Sequence, residues 1–95
     1  MRDIVRRVDR LQRLAVFEAA ARLGSFTRAA AELGMTQPAV TRQIRLLERS
    51  LDAELFVRSA NRSELTELGR RLNDRVSAGF DLIEAGLGEL ADHAG

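Results

Sequence analysis

Gln37, Thr41, Arg42 and Arg45 recur within the stretch Gln37-Pro38-Ala39-Val40-Thr41-Arg42-Gln43-Ile44-Arg45 at a spacing that a helix gathers onto one outward face. Their chemistry is recognition. An arginine fork can bond guanine through two hydrogen bonds, glutamine can do the same to adenine, and a threonine methyl can touch thymine. The start of such a helix adds unpaired N–H groups and the positive end of a dipole, which suit phosphate. The same residue types also populate ordinary solvated helix faces, so the pattern alone leaves both possibilities standing. Asn61 and Arg62 lie in a small polar turn further along. A basic turn held beside such a helix can reach a minor groove, where narrow A·T tracts concentrate negative potential. A loop with one arginine is equally compatible with plain solvation.

Other chemistries find little support. The only histidine is His93, near the chain's end, and there is no Cys, Tyr or Trp. No Gly-rich phosphate loop occurs, and no serine or carboxylate has a base at a recognisable catalytic spacing. An enzymatic role, a thiolate metal site and a disulfide framework are therefore not expected, and no cofactor is implied. The net charge of +1 hides an asymmetry: residues 1–71 hold 14 Arg against 9 Asp and Glu, whereas residues 72–95 hold Arg75 against 5 acids. A basic body with an acidic tail fits a chain that presents one end to nucleic acid. The absence of lysine suits phosphate recognition, but codon bias explains it as well.

Ninety-five residues, 45% of them apolar, make one small domain with a single core. No apolar run approaches the roughly 20 residues that span a bilayer, and residues 1–10 do not resemble a secretion signal. The expected setting is cytoplasmic, with no membrane partner.

The elements that must position these residues follow from capping and periodicity. Residues 1–8 lack clear periodicity and read as a mobile, arginine-containing arm. Asp9, with Gln12 three residues later, reads as the N-cap of a first helix whose stripe is Leu11, Leu14, Phe17, Ala20 or Ala21, and Leu23, ended by Gly24. Ser25 caps a short alanine-rich helix, Phe26 to Leu33, which Gly34 stops. Thr36 caps a third, with Pro38 in the first turn, where a missing N–H costs nothing. Its buried stripe is Val40, Ile44, Leu47 and Leu51, leaving Gln37, Thr41, Arg42, Arg45 and Arg49 on other faces. The pattern of Leu55 to Arg58, a turn at Ser59-Ala60-Asn61, then Arg62 to Leu65 predicts a short β-hairpin. Two short helices joined by a tight Gly-containing turn are the helix-turn-helix arrangement.

Thr66 opens a last helix. Leu68, Leu72, Val76, Phe80, Ile83, Leu87, Leu90 and Ala94 trace a seam close to a heptad along it. Gly79, Gly86 and Gly88 weaken that helix by about 1 kcal/mol each relative to Ala, so it should need a covering partner. Leu68 and Leu72 can pack on their own domain, but the seam continues too far for that domain to cover. A second copy of the chain is the natural cover, through Leu72, Val76, Phe80, Ile83, Leu87 and Leu90.

From residue 9 to about 94 the order of these pieces resembles the LysR-type transcriptional regulators. The likeness is carried by Phe17-Glu18-Ala19-Ala20-Ala21-Arg22-Leu23-Gly24-Ser25-Phe26-Thr27-Arg28-Ala29-Ala30 and by Thr36-Gln37-Pro38-Ala39-Val40-Thr41-Arg42-Gln43-Ile44. Leu47-Glu48, Leu55-Phe56-Val57-Arg58 and Leu65-Thr66-Glu67-Leu68-Gly69 extend it. The resemblance implies an all-α fold with a small β-wing: a three-helix bundle plus hairpin at 9–66, then a long linker helix at 67–95 pairing antiparallel with its mate. It also implies roles. Gln37, Pro38, Thr41 and Arg42 would face the major groove; Ser25, Thr27 and Thr36 would touch phosphate; Arg58 would lie near the backbone at the wing. Three departures stand out. Asp52 replaces the usual Gly after the third helix, and it tolerates a left-handed conformation better than most residues. Asn61 stands where the family usually has the wing arginine, with Arg62 next to it. The family's C-terminal effector-binding domain has no counterpart here, so no small-molecule site is expected, and the chain reads as part of a longer protein or as a stand-alone domain.

The sequence thus points to a homodimer that binds double-stranded DNA on an interrupted palindrome. The rival reading is a winged-helix interaction module that dimerises through residues 67–94 without DNA. Such a module would more naturally expose apolar anchors where this chain has arginines.

Overall fold

The structure, a computed structural model, describes residues 2–59 and 62–94, with side chains described for 9–57 and 63–93. In chain order the elements are α1 (Arg2–Leu23), α2 (Phe26–Leu33), α3 (Gln37–Leu51), β1 (Phe56–Ser59), β2 (Arg62–Leu65) and α4 (Glu67–Ala94). The three-helix bundle, two-stranded wing and long final helix are the architecture expected from the sequence. α1, however, starts at Arg2, so residues 2–8 are helical rather than an irregular arm, and Asp9 lies inside the helix. No Gly or Pro interrupts residues 2–23. Extending an existing helix adds a hydrogen bond per residue without a new nucleation cost, and that outweighs the capping preference of one aspartate.

The turns follow the expected chemistry. Gly24 and Gly34 take φ of 62° and 66°, and the N–H of Met35 donates to the Ala30 carbonyl at 2.9 Å, closing α2 in a left-handed cap. The hydroxyls of Ser25 and Thr36 each accept the backbone N–H three residues on, at 3.1 and 3.2 Å, which starts α2 and α3. Asp52 adopts φ 51°, ψ 47° beyond Leu51, with its own N–H donating to Arg49. The aspartate does serve where glycine was expected.

Phe17, Val40, Ile44, Leu47 and Leu55 are wholly buried and form the centre where α1, α3 and the start of the wing meet. Each such side chain contributes about 1.5–3 kcal/mol by leaving water. Phe56 packs edge-on against Phe17 and Phe26, with ring centroids 5.6 and 5.1 Å apart, tying β1 to α1 and α2. Two expected stripe residues sit elsewhere: Leu11 is 53% exposed and Leu51 38% exposed. The rest of the α1 stripe faces inward as expected: Phe17 and Ala20 are buried with Val16 and Ala19, Leu14, Ala21 and Leu23 pack beside them, and the small members let α2, α3 and α4 approach.

The wing is antiparallel, with Phe56 opposite Leu65 at its base and Ser59 opposite Arg62 at its far end. Ser59 therefore belongs to β1 rather than to the turn, and Leu55 precedes the strand. At the base, the Thr66 N–H donates to the Leu55 carbonyl at 3.0 Å, and its hydroxyl donates to the Glu54 carbonyl at 2.6 Å. The same hydroxyl accepts the Gly69 N–H at 3.0 Å and so caps α4. Leu68 is 52% exposed; the inward residue of that first turn is Gly69, followed by the half-buried Leu72. Any Cβ at Gly69 would stand 2.1 Å from the Leu55 carbonyl oxygen. Only glycine lets α4 leave the wing this closely.

Candidate nucleic-acid interface

α3 carries two opposed faces. Val40, Ile44, Leu47 and Glu48 are buried, while Gln37, Pro38, Arg42, Arg45 and Arg49 are exposed and Thr41 half-exposed. Gln37, Pro38, Thr41, Arg42, Arg45, Leu46 and Arg49 line one open concavity on the outward side. The expected set of Gln37, Pro38, Thr41, Arg42 and Arg45 is thus brought together, and Arg49 joins it one turn further on. Among the described residues no ion pair engages Arg42, Arg45 or Arg49. The Gln37 side-chain amide donates to the Thr41 hydroxyl at 2.9 Å, fixing both against the helix.

Arg22, by contrast, is committed. Its guanidinium bonds Glu18 at 2.9 Å and pairs with both oxygens of Glu32, joining α1 to α2. The hydrogen bond to Glu32, then that to Glu18, raises the Arg22 pKa, and Arg22 holds the Glu32 carboxyl below its ordinary value. An arginine with two carboxylates has little capacity left for phosphate. Those along α3 keep theirs.

Ser25 and Thr36 are engaged as helix caps, but a hydroxyl that accepts a backbone N–H can still donate its own proton, as phosphate contact requires. Thr27 is exposed in the first turn of α2. Arg58 lies in β1 opposite Ser63, and Arg62 opens β2 opposite Ser59; their side chains, like all of Asn61, fall outside what is described. Their expected contacts rest on the sequence alone.

Sequence reasoning passed over Glu48. It is the one buried charged residue among those described, at 8% exposure, and its carboxylate accepts the Leu55 N–H at 2.8 Å and the Phe56 N–H at 3.4 Å. The available signal was an acid four residues after Ile44, squarely on the apolar stripe.

Along α4 the expected seam divides. Leu72, Val76 and Phe80 are half-buried, and Leu72 packs on the core of its own domain. Ile83, Leu87 and Leu90 are 55%, 61% and 67% exposed, and Leu82, missed in the seam, is 76% exposed. Phe80 and Ile83 border a groove against Ala15 and Ala19 of α1. No helix among the described residues is long and apolar enough to cross a membrane, and no acid–histidine cluster among them could hold a metal.

A helix-turn-helix with a wing and an uncommitted basic face on its third helix defines a class of nucleic-acid-binding proteins, and known proteins narrow it. Residues 11–70 match the family described as bacterial regulatory helix-turn-helix proteins of the lysR family. The chain is 48% identical over 82 residues to the HTH-type transcriptional activator AmpR of Providencia stuartii, covering 86% of this chain and 28% of that protein. The BenM DBD solved with benA site 1 DNA superimposes with a TM-score of 0.79 at 27% identity, covering 88% of this chain and 94% of that one. Vibrio fischeri DarR in complex with DNA gives 0.73 at 34% identity, covering 88% and 29%. The chain belongs to the LysR family. It spans about a quarter of the length of the curated relatives it matches, and those relatives are transcriptional regulators rather than enzymes.

Proposed function

We propose that this chain binds double-stranded DNA sequence-specifically as the recognition end of a LysR-type transcription regulator, acting as a homodimer on an interrupted palindrome. The observation that carries the proposal is the concave face of α3, where Arg42, Arg45 and Arg49 stand exposed, with no ion pair among the described residues, beside Gln37 and Thr41. The DNA complexes of BenM and DarR, which share the fold, support it. Gln37, Pro38, Thr41 and Arg42 read base edges in the major groove. Ser25, Thr27 and Thr36, with the N-termini of α2 and α3, bind phosphate, and Arg45 extends the basic strip along it. Arg58 lies along the backbone at the wing, and Asn61 and Arg62 reach the adjacent minor groove. An interaction module would call for apolar anchors on this face, where only the half-exposed Leu46 qualifies.

Homodimerisation draws on the outer half of α4, where Leu82, Ile83, Leu87 and Leu90 are left largely uncovered by the described residues. Two recognition helices related by a two-fold axis would then read two half-sites. Selection from random duplexes at fixed salt tests the whole reading: it should return a symmetric sequence with a fixed spacer. Recovery of no preferred sequence would refute it. Arg42→Ala should lower preference for the selected duplex over a scrambled one by about 1–3 kcal/mol, and an unchanged ratio would remove Arg42 from the base-reading set.

A further inference from the structure

Glu48 holds the wing to the recognition helix. It sits on the inner side of α3 while Arg45 and Arg49, its neighbours along the helix, point outward into the basic concavity. A carboxylate in a core is costly unless it is hydrogen-bonded, and here its Oε2 accepts the backbone N–H groups of Leu55 and Phe56, where β1 begins. Apolar packing of Leu55 and Phe56 fixes how deep the wing's base sits. A charge-assisted bond to two consecutive backbone N–H groups also fixes its direction. The returning strand is tied to the same point, because the Leu55 carbonyl accepts the Thr66 N–H. The two stems of the wing are therefore joined at Leu55, and Leu55 is bonded to α3 through Glu48.

We infer that Glu48 is a positioning residue for DNA binding: through Leu55 it sets the placement of the wing relative to α3, and so the spacing between major-groove and flanking contacts. The inference rests on the DNA-binding reading above. Leverage explains why the anchoring of the wing's base matters. A four-residue strand is about 13 Å long, so a rotation of about 10° at its base carries its far end about 2 Å, enough to break a phosphate or groove contact.

The test uses the whole chain on the duplex it selects, with hydroxyl-radical footprints of wild type, Glu48→Gln, Glu48→Ala and Arg62→Ala. Thermal unfolding of each variant shows which are folded. Glu48→Gln keeps a neutral acceptor and is expected to fold. Its protection of the flanking minor groove should fall about fivefold, with protection over the α3 half-site retained. Glu48→Ala, where it folds, should show the larger flank loss. Arg62→Ala reports independently whether the wing touches the flank. A Glu48→Gln footprint in which flank and half-site fall together, or in which neither falls, overturns the inference, whatever Arg62→Ala does. Failure to select any duplex refutes the DNA reading at the earlier step and takes this inference with it.

Discussion

The two ends of α4 are built on opposite principles. At the inner end the packing is close: Gly69 is buried, Thr66 makes four hydrogen bonds with backbone groups, and a Cβ at Gly69 would overlap the Leu55 carbonyl. At the outer end, Gly79, Gly86 and Gly88 have nothing within 4 Å of where a Cβ would lie, and four large aliphatic side chains are more than half exposed. The same residue type thus means two things in one helix. Gly69 is required by contact, whereas the outer glycines cost helix stability and relieve no close contact among the described residues. The inner end is finished by folding. On the dimer reading proposed above, the outer end is finished by association.

Substitutions can break or sharpen this contrast. The largest effect is expected for Gly69→Ala, which must displace backbone at the wing base and should cost about 3 kcal/mol in urea unfolding at fixed protein concentration. A variant as stable as wild type would show the junction to be loose. Next is Leu87→Asp, which places a charge in the exposed stripe. It should weaken self-association by at least about tenfold, roughly 1.4 kcal/mol, in sedimentation or light scattering while circular dichroism stays unchanged. Unaltered association would move the dimer surface elsewhere. The smallest effect is a gain: Gly88→Ala should raise stability by about 1 kcal/mol without changing the association constant. Loss of stability there would reveal a close contact that the single chain does not contain.

How much was legible in advance follows the same division between local and distant causes. Ser25, Gly34, Thr36 and Pro38 act on their own turns, and the helices they bound came out as read. Asp52 was foreseen as a left-handed residue because that tolerance belongs to the residue itself. The outward face of α3 was readable because a period of 3.6 depends on nothing outside the helix. Asp9 misled, since a good cap is only a cap if the helix has a reason to begin there. Leu68 was given the inward place that Gly69 holds, because the controlling atom is a carbonyl fourteen residues away in sequence, on Leu55. Glu48 escaped for the same reason: its donors arrive from the wing, and spacing within α3 cannot announce them. For the wing's own arginines the reading remains that of the sequence.

The bond between Gln37 and Thr41 has a consequence for how errors are tolerated. A side chain that must give up an existing partner to greet a new one gains only the difference between the two, and when the newcomer does not fit it simply keeps the old one. No ion pair among the described residues gives Arg42 such a fallback. If these residues read bases as proposed, a mismatch beneath the glutamine–threonine pair should be forgiven more readily than one beneath the arginine, so that degeneracy in the binding site is graded along the helix from its first turn to its second.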